Sequence, residues 1–237
     1  MSDEGKSSEA GTTATKGLRR KLTPAQRVLL WAVRLVLLYL LYRFVRNPWP
    51  LLKSRIFPAL VLWAIFFVYW GIAGQNSAAT KSSESKTSTL FHSIILTVAM
   101  LLLFVPVPGL NGWFLPQTLS FMVGGAIVQA AFMMLAVWAR RHLGRNWSAE
   151  VRIGEGHELI RSGPYRVLRH PIYTAMLGMF VGTMIASGQY HALVGVALLI
   201  VAYLRKTRLE EEILRKTFGA DFEAYYRDSW ALVPYLF

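Results

Sequence analysis

The chain has 237 residues, of which 54% are hydrophobic and only 16% charged, well below the roughly 25% charged content of a soluble domain. Its net charge of +13 would suit nucleic acid in a soluble protein. Here the basic residues gather at the ends of apolar runs and in particular loops, as in a membrane protein facing anionic headgroups. No cysteine is present, which excludes disulfides, thiolate nucleophiles and cysteine metal sites.

Residues 1–20 are rich in Ser, Thr, Gly, Ala and Lys without apolar periodicity, the composition of a disordered tail. No signal peptide is expected, because the first apolar run begins only at Val28. Six apolar segments follow, at roughly 28–45, 56–74, 91–106, 117–139, 172–187 and 190–204. Each approaches the ~20 residues with which a helix crosses a bilayer. Arg34 interrupts the first, and Val105-Pro106-Val107-Pro108-Gly109 stops the third. Ser77 to Ser88 reads as a polar loop.

The expectation is an all-α polytopic transmembrane bundle of about six membrane segments, embedded in a lipid bilayer. Residues 21–139 would hold the first four segments. Residues 140–237 would carry the chemistry, as a cofactor-binding loop, two further segments and a C-terminal helix. With the N-terminus inside, 21 of the 26 Lys and Arg fall on the cytoplasmic side, which places both termini there. Arg43, Arg46, Lys53 and Arg55 fall outside and run against the rule.

The stretch Gly156–Tyr173, GHELIRSGPYRVLRHPIY, is denser in His, Arg, Gly and Pro than a connection between membrane segments requires. Proline is favoured at the first helical position, so the fifth segment is expected to start at Pro171, with its positive dipole end available to a carboxylate or phosphate. Ser162-Gly163-Pro164-Tyr165 reads as a tight turn that brings His157, Tyr165 and Tyr173 toward one cavity. His157 and His170 have no third ligand at a recognisable spacing, so no metal is expected.

The second stretch is Arg205 to Tyr226, expected to continue the sixth segment as a helix and to stop at Phe218-Gly219. Glu211 with Arg215 and Glu212 with Lys216 have the spacing of surface ion pairs. Glu210 has Leu214 four residues on and is the candidate to hold a cationic ligand group. Donors for an anion, a carboxylate for an ammonium and several aromatics together suit an amino-acid-like zwitterion bearing a second cation.

His157-x-Leu159-Ile160-x-x-Gly163-x-Tyr165-x-x-x-Arg169-His170-Pro171-x-Tyr173, followed by Glu210-Glu211-x-x-Leu214-x-x-x-Phe218-Gly219, resembles the isoprenylcysteine carboxyl methyltransferase family. The phospholipid methyltransferases share this pattern more loosely. Gly144-Arg145-Asn146-Trp147-Ser148 looks like bacterial members, for which the location would be the inner membrane. The match covers about Arg141 to Tyr226.

The resemblance implies a methyltransferase using S-adenosylmethionine. Carried over, the cofactor would contact Glu150, His157, Leu159, Ile160, Gly163, Tyr165, His170, Pro171, Ile172, Tyr173 and Glu210. Arg169, Lys206 and Arg208 would position the substrate. The family has Arg where this chain has Lys206, and lysine cannot make arginine's bidentate fork to a carboxylate. The implied reaction is carboxyl O-methylation of a lipophilic acceptor, either a prenylcysteine-like group or an isoprenoid or other lipid. Phospholipid N-methylation and NADPH-dependent reduction of a sterol or enone stand as alternatives, and nucleic acid is not expected as a partner.

Overall fold

The computed structural model describes residues 54–74, 86–144 and 159–235, with seven single positions between 31 and 46. The predicted tail, Arg34 and most of the first apolar segment lie outside the described residues. Those described form six α-helices and one 3-10 turn, with no strand among them: α1 (Phe57–Ala73), α2 (Lys86–Phe104), α3 (Leu119–Leu143), the turn at Gly163–Arg166, α4 (Pro171–Ser187), α5 (Tyr190–Phe218) and α6 (Ala220–Arg227). Two expected boundaries move. α2 starts within the predicted polar loop and five residues before the predicted segment, because Lys86 to Thr89 can be helical ahead of the apolar run. α3 continues past the apolar run through Arg140, Arg141 and His142, whose cations favour a helix C-terminus.

The first five helices alternate in direction. Arg55, ahead of α1, donates to the carbonyls of Pro116 (3.3 Å) and Thr118 (3.0 Å), ahead of α3. Arg140, near the end of α3, donates to Ala73 O at the end of α1 (2.5 Å) and to Gly144 O (2.7 Å). α1 and α3 therefore run parallel. α2 begins beside the middle of α5, where Arg205 donates to Ser88 Oγ (2.5 Å), and ends beside its first turn. There Leu102 O would ordinarily accept from residue 106, but Pro106 has no N–H to give. His191 Nδ1 donates instead, at 2.6 Å.

Small residues set the closest packing. Lipid tails are as apolar as leucine, so membrane helices cohere through close packing and polar contacts rather than through escape from water. A Cβ on Gly125 of α3 would stand 2.5 Å from the Ala186 nitrogen and the Gly182 oxygen of α4, and one on Gly178 would stand 2.1 Å from the Phe132 ring. Around this contact, Gln129 Nε2 donates to Ala59 O (3.0 Å) and Trp63 Nε1 to Thr183 Oγ1 (2.9 Å), tying α1, α3 and α4 together. Trp63, Phe66, Leu103, Met179, Phe180, Leu199 and Tyr203 fill the interior.

The outward faces are apolar. Val61, Ile65, Val68 and Ile72 form an exposed stripe on α1, and Leu119, Val123, Ile127, Met134 and Trp138 another on α3. Thr87–Phe104 and Leu119–Leu143 are long and apolar enough to cross a membrane, while α1 and α4 are apolar but shorter.

Gly125→Ala is expected to lower stability by about 1–3 kcal/mol, the cost of forcing a methyl into a packed contact. Gly124→Ala, where nothing lies within 4 Å of the added carbon, should leave it nearly unchanged. Thermal unfolding midpoints in detergent check both.

Candidate functional site

The site starts at the turn after α3. Gly163 adopts φ +59°, and a Cβ there would lie 2.7 Å from the His142 ring. Both the backbone angle and the neighbour therefore demand glycine. His142 Nε2 lies 2.8 Å from Ser162 Oγ, which fixes the turn to the end of α3. The turn buries Pro164 and Tyr165. Burial pushes the Tyr165 phenol up from its ordinary value, with the nearby Tyr225 and Glu210 adding to the effect, so it stays protonated. From α6, the Tyr225 hydroxyl donates to Tyr165 O at 2.6 Å.

α4 begins at Pro171 as the sequence predicts, with His170 as its N-cap. The amides just before the helix are not open to a ligand. Arg169 N donates to Trp230 O (2.7 Å), His170 N to Ala231 O (3.1 Å), and Trp230 N returns to Val167 O (2.9 Å). Thr174 Oγ1 donates to Leu232 O at 2.6 Å. The C-terminal segment thus lies as a strap along residues 167–174, and its carbonyls take the two amides that precede the helix.

The third component is the far end of α5, which continues unbroken for 29 residues until Gly219 stops it. Continuity carries Glu210 and Glu211 back to His170. His170 Nδ1 lies 3.2 Å from Glu210 Oε2, and Nε2 lies 3.3 Å from Glu211 Oε1. The Nε2 contact is one of charge, since that atom has no aligned hydrogen bond. The Tyr173 hydroxyl donates to Glu210 Oε1, and the Tyr173 ring stacks on His170 with centroids 5.6 Å apart. Arg169 Nε donates to Glu211 Oε1 at 2.7 Å. Arg169 Nη1 donates to Tyr226 O (3.1 Å) and to Ser229 O, with the guanidinium 4.1 Å from the Tyr226 ring centroid.

One expected pairing is therefore wrong. Glu211 does not pair with Arg215; it turns inward to Arg169 and His170, and Arg215 pairs with Glu223 of α6. A buried arginine and imidazole outcompete a surface i,i+4 partner, which is worth only a few tenths of a kcal/mol. Glu212 and Lys216 do pair, at 2.6 Å. The two carboxylates approach opposite nitrogens of one ring, so with His170 they share no common point for a metal.

Tyr165, Arg169, His170, Pro171, Tyr173 and Glu210 converge. Leu159, Ile160 and Ile172 are half-buried, and Gly163 shapes the turn. Lys206 is buried one turn before Glu210, whereas Arg208 is exposed. Glu150 and His157 lie outside the described residues. Sequence reasoning missed His142, Thr174, Tyr225 and Ser229. Only Tyr225 had a signal, the period that places it with Phe222 on the buried face of α6.

An alternating helical bundle with apolar outer faces and a polar site at one end defines an integral membrane protein of the α-helical class. Residues 120–221 match the family model described as phospholipid methyltransferase. A rice protein (Oryza sativa) named probable protein-S-isoprenylcysteine O-methyltransferase is 31% identical over 96 residues, 39% of this chain and 50% of that protein. Protein-S-isoprenylcysteine O-methyltransferase A of Arabidopsis thaliana is 23% identical over 195 residues, 81% of this chain and 95% of that one. The Bacillus subtilis protein YpbQ is 31% identical over 61 residues, and the chain spans 36% of its length and half of the rice protein's. The solved structure of a eukaryotic intramembrane Ras methyltransferase aligns over 91% of this chain and 99% of its own, at TM-score 0.37 and 14% identity. By sequence, over part of its length, the chain is similar to the phospholipid methyltransferase family model and to plant proteins named protein-S-isoprenylcysteine O-methyltransferase.

Charge sets the pH response of the site. Burial works against the His170 imidazolium, but the adjacent carboxylates of Glu210 and Glu211 outweigh it and hold the group above its ordinary 6.5. Burial also raises Glu211, yet His170 and Arg169 bring it below its ordinary 4.5. Stability from His170 is complete below 6.5 and is lost as pH rises through the raised folded value. Stability from Glu211 is complete above 4.5 and is lost as pH falls through the depressed one. His170→Gln should therefore remove part of the alkaline decline in unfolding midpoint, and Glu211→Gln part of the acid decline. Curves parallel to wild type in both variants would count against this network.

Proposed function

We propose that the protein is a membrane methyltransferase that uses S-adenosylmethionine and acts on a lipophilic acceptor. The observation that carries the reading is the convergence of Glu210, from α5, with His170 and Tyr173, from the start of α4. Two motifs some 40 residues apart in the chain become one site, and similarity to methyltransferases spans both of them.

The donor set fits a cationic cofactor. Glu211 has Arg169 as a permanent counter-charge, whereas among the described residues no Lys or Arg lies within ion-pair distance of Glu210. Among the described residues Glu210 meets the imidazole and the Tyr173 hydroxyl but no permanent cation, which leaves capacity for a ligand cation beside the Tyr173 ring. His170, Pro171, Ile172, Tyr173, Tyr165, Gly163, Leu159, Ile160 and Glu210 would hold the cofactor, with Glu150 and His157 completing the set. When bound, S-adenosylmethionine supplies a methyl group already activated on a sulfonium sulfur.

For a carboxylate acceptor of prenylcysteine or isoprenoid type, no base is required at neutral pH. The protein's task is to align acceptor and donor and to exclude water. Lys206, buried one turn before Glu210, and Arg208 would position an anionic acceptor. A second reading, N-methylation of a phospholipid amine, is favoured by the family model spanning residues 120–221. That reaction releases a proton, and the Tyr173–Glu210–His170 chain offers a route for it. The site would face the cytoplasm, in a bacterial inner membrane, with both termini on that side.

Calorimetry in detergent tests the reading. Wild type is expected to bind S-adenosylmethionine, with Glu210→Gln and His170→Ala weakening binding at least tenfold, about 1.4 kcal/mol. No binding by wild type, or equal binding by both variants, would sink it. Incubating membranes with methyl-labelled cofactor then identifies the acceptor as an ester or an amine.

A further inference from the structure

Arg169 stands in the sequence as a residue to meet substrate, yet its guanidinium is committed elsewhere. Nε donates to Glu211, Nη1 donates to the Tyr226 and Ser229 carbonyls, and the Tyr226 ring covers it. The side chain is only 6% exposed. Glu211 spends Oε1 on both Arg169 and His170. Ser229 Oγ donates to Tyr225 O, which closes the turn from α6 into the strap. From there Trp230 O and Ala231 O accept the Arg169 and His170 amides, and Leu232 O accepts the Thr174 hydroxyl. Apart from the Ser229–Tyr225 bond, every hydrogen bond on this path has one end at the N-cap residue whose ring meets Glu210, or within four residues of it.

We infer that Arg169 and Glu211 are positioning residues, and that with the strap Ser229–Leu232 they hold the His170 ring between the two carboxylates. The C-terminal segment is in this sense part of the site, although among the described residues no hydrogen bond or ion pair joins its side chains to Glu210. Releasing the strap removes the acceptors of two amides and lets the His170 backbone turn, which carries the ring away from Glu210. The ligand-binding arm of the test rests on the methyltransferase reading; the exchange arm does not.

The test compares wild type with Thr174→Val, which removes one strap hydrogen bond at a distance from the ring, and with Arg169→Gln and Glu211→Gln. Glu212→Gln, on the exposed face of α5, is the control. Two exchange measurements need no ligand: amide exchange of the peptide containing residues 167–173, and exchange at the His170 imidazole C2 position. Both are expected to accelerate by about tenfold or more in the three variants and to stay unchanged in the control. S-adenosylmethionine affinity should fall by about tenfold in the same three variants. Unchanged exchange with lost affinity would overturn the inference, because Arg169 or Glu211 would then touch ligand directly. Faster amide exchange with unchanged His170 C2 exchange would also overturn it, since the strap would not reach the ring. If wild type fails to bind the cofactor, the methyltransferase reading falls, and the exchange results alone decide the strap.

Discussion

The arrangement depends on one imidazole held between two carboxylates from consecutive residues of a helix. Successive side chains on an α-helix diverge by about 100°, so Glu210 and Glu211 do not point at a common target by themselves. They meet His170 because the ring is inserted between them, each carboxylate taking the nitrogen on its own side. That insertion needs a fixed ring. Its fixity comes from the N-cap position, where the backbone is non-helical (φ −125°, ψ 58°) and Pro171 prevents the helix from starting earlier. It also needs α5 to run past the apolar layer without a break. Each requirement traces to local sequence, and neither has any effect without the other.

Much of this was legible from the residues, and the reasons for what was not are physical. The start of α4 at Pro171, the stop of α5 at Gly219 and the turn at Gly163 all appear where single residues dictate backbone geometry. Glu210 stood out because its own helix provides no better partner. The fate of Glu211 could not be read, since its surface pairing with Arg215 satisfied every local rule and lost only to a buried arginine 42 positions away. The strap was equally invisible: Ser229 to Leu232 bonds through backbone carbonyls, and carbonyls carry no sequence signature. His142 and Thr174 act by filling or capping at a particular place, which periodicity does not report.

The bundle assigns different work to its polar and apolar contacts. Apolar side chains cover the outer faces and fill the interior, but in lipid they discriminate weakly between one helix arrangement and another. Orientation falls to polar side chains, in mid-helix at Gln129 and Thr183 and otherwise at the helix ends. Arg55 and Arg140 register α1 against α3 at opposite ends, and His191 replaces the amide that Pro106 lacks. The chain concentrates its few buried polar groups where two helices must agree on a register. The site at the basic end applies the same device, with the addition of carboxylates.

The unbroken course of α5 has a mechanical consequence. A helix of 29 residues rises about 43 Å at ~1.5 Å per residue, well beyond the ~30 Å hydrocarbon layer. One end is pinned by His191 to α2, and the carboxylates lie about 30 Å further along at the same rise per residue. Over that lever arm, a change of roughly ten degrees in tilt relative to α4, within the range by which helices adjust to bilayer thickness, displaces Glu210 and Glu211 sideways by about 5 Å. The angle at which α5 packs against α4 therefore sets the gap between carboxylate and imidazole.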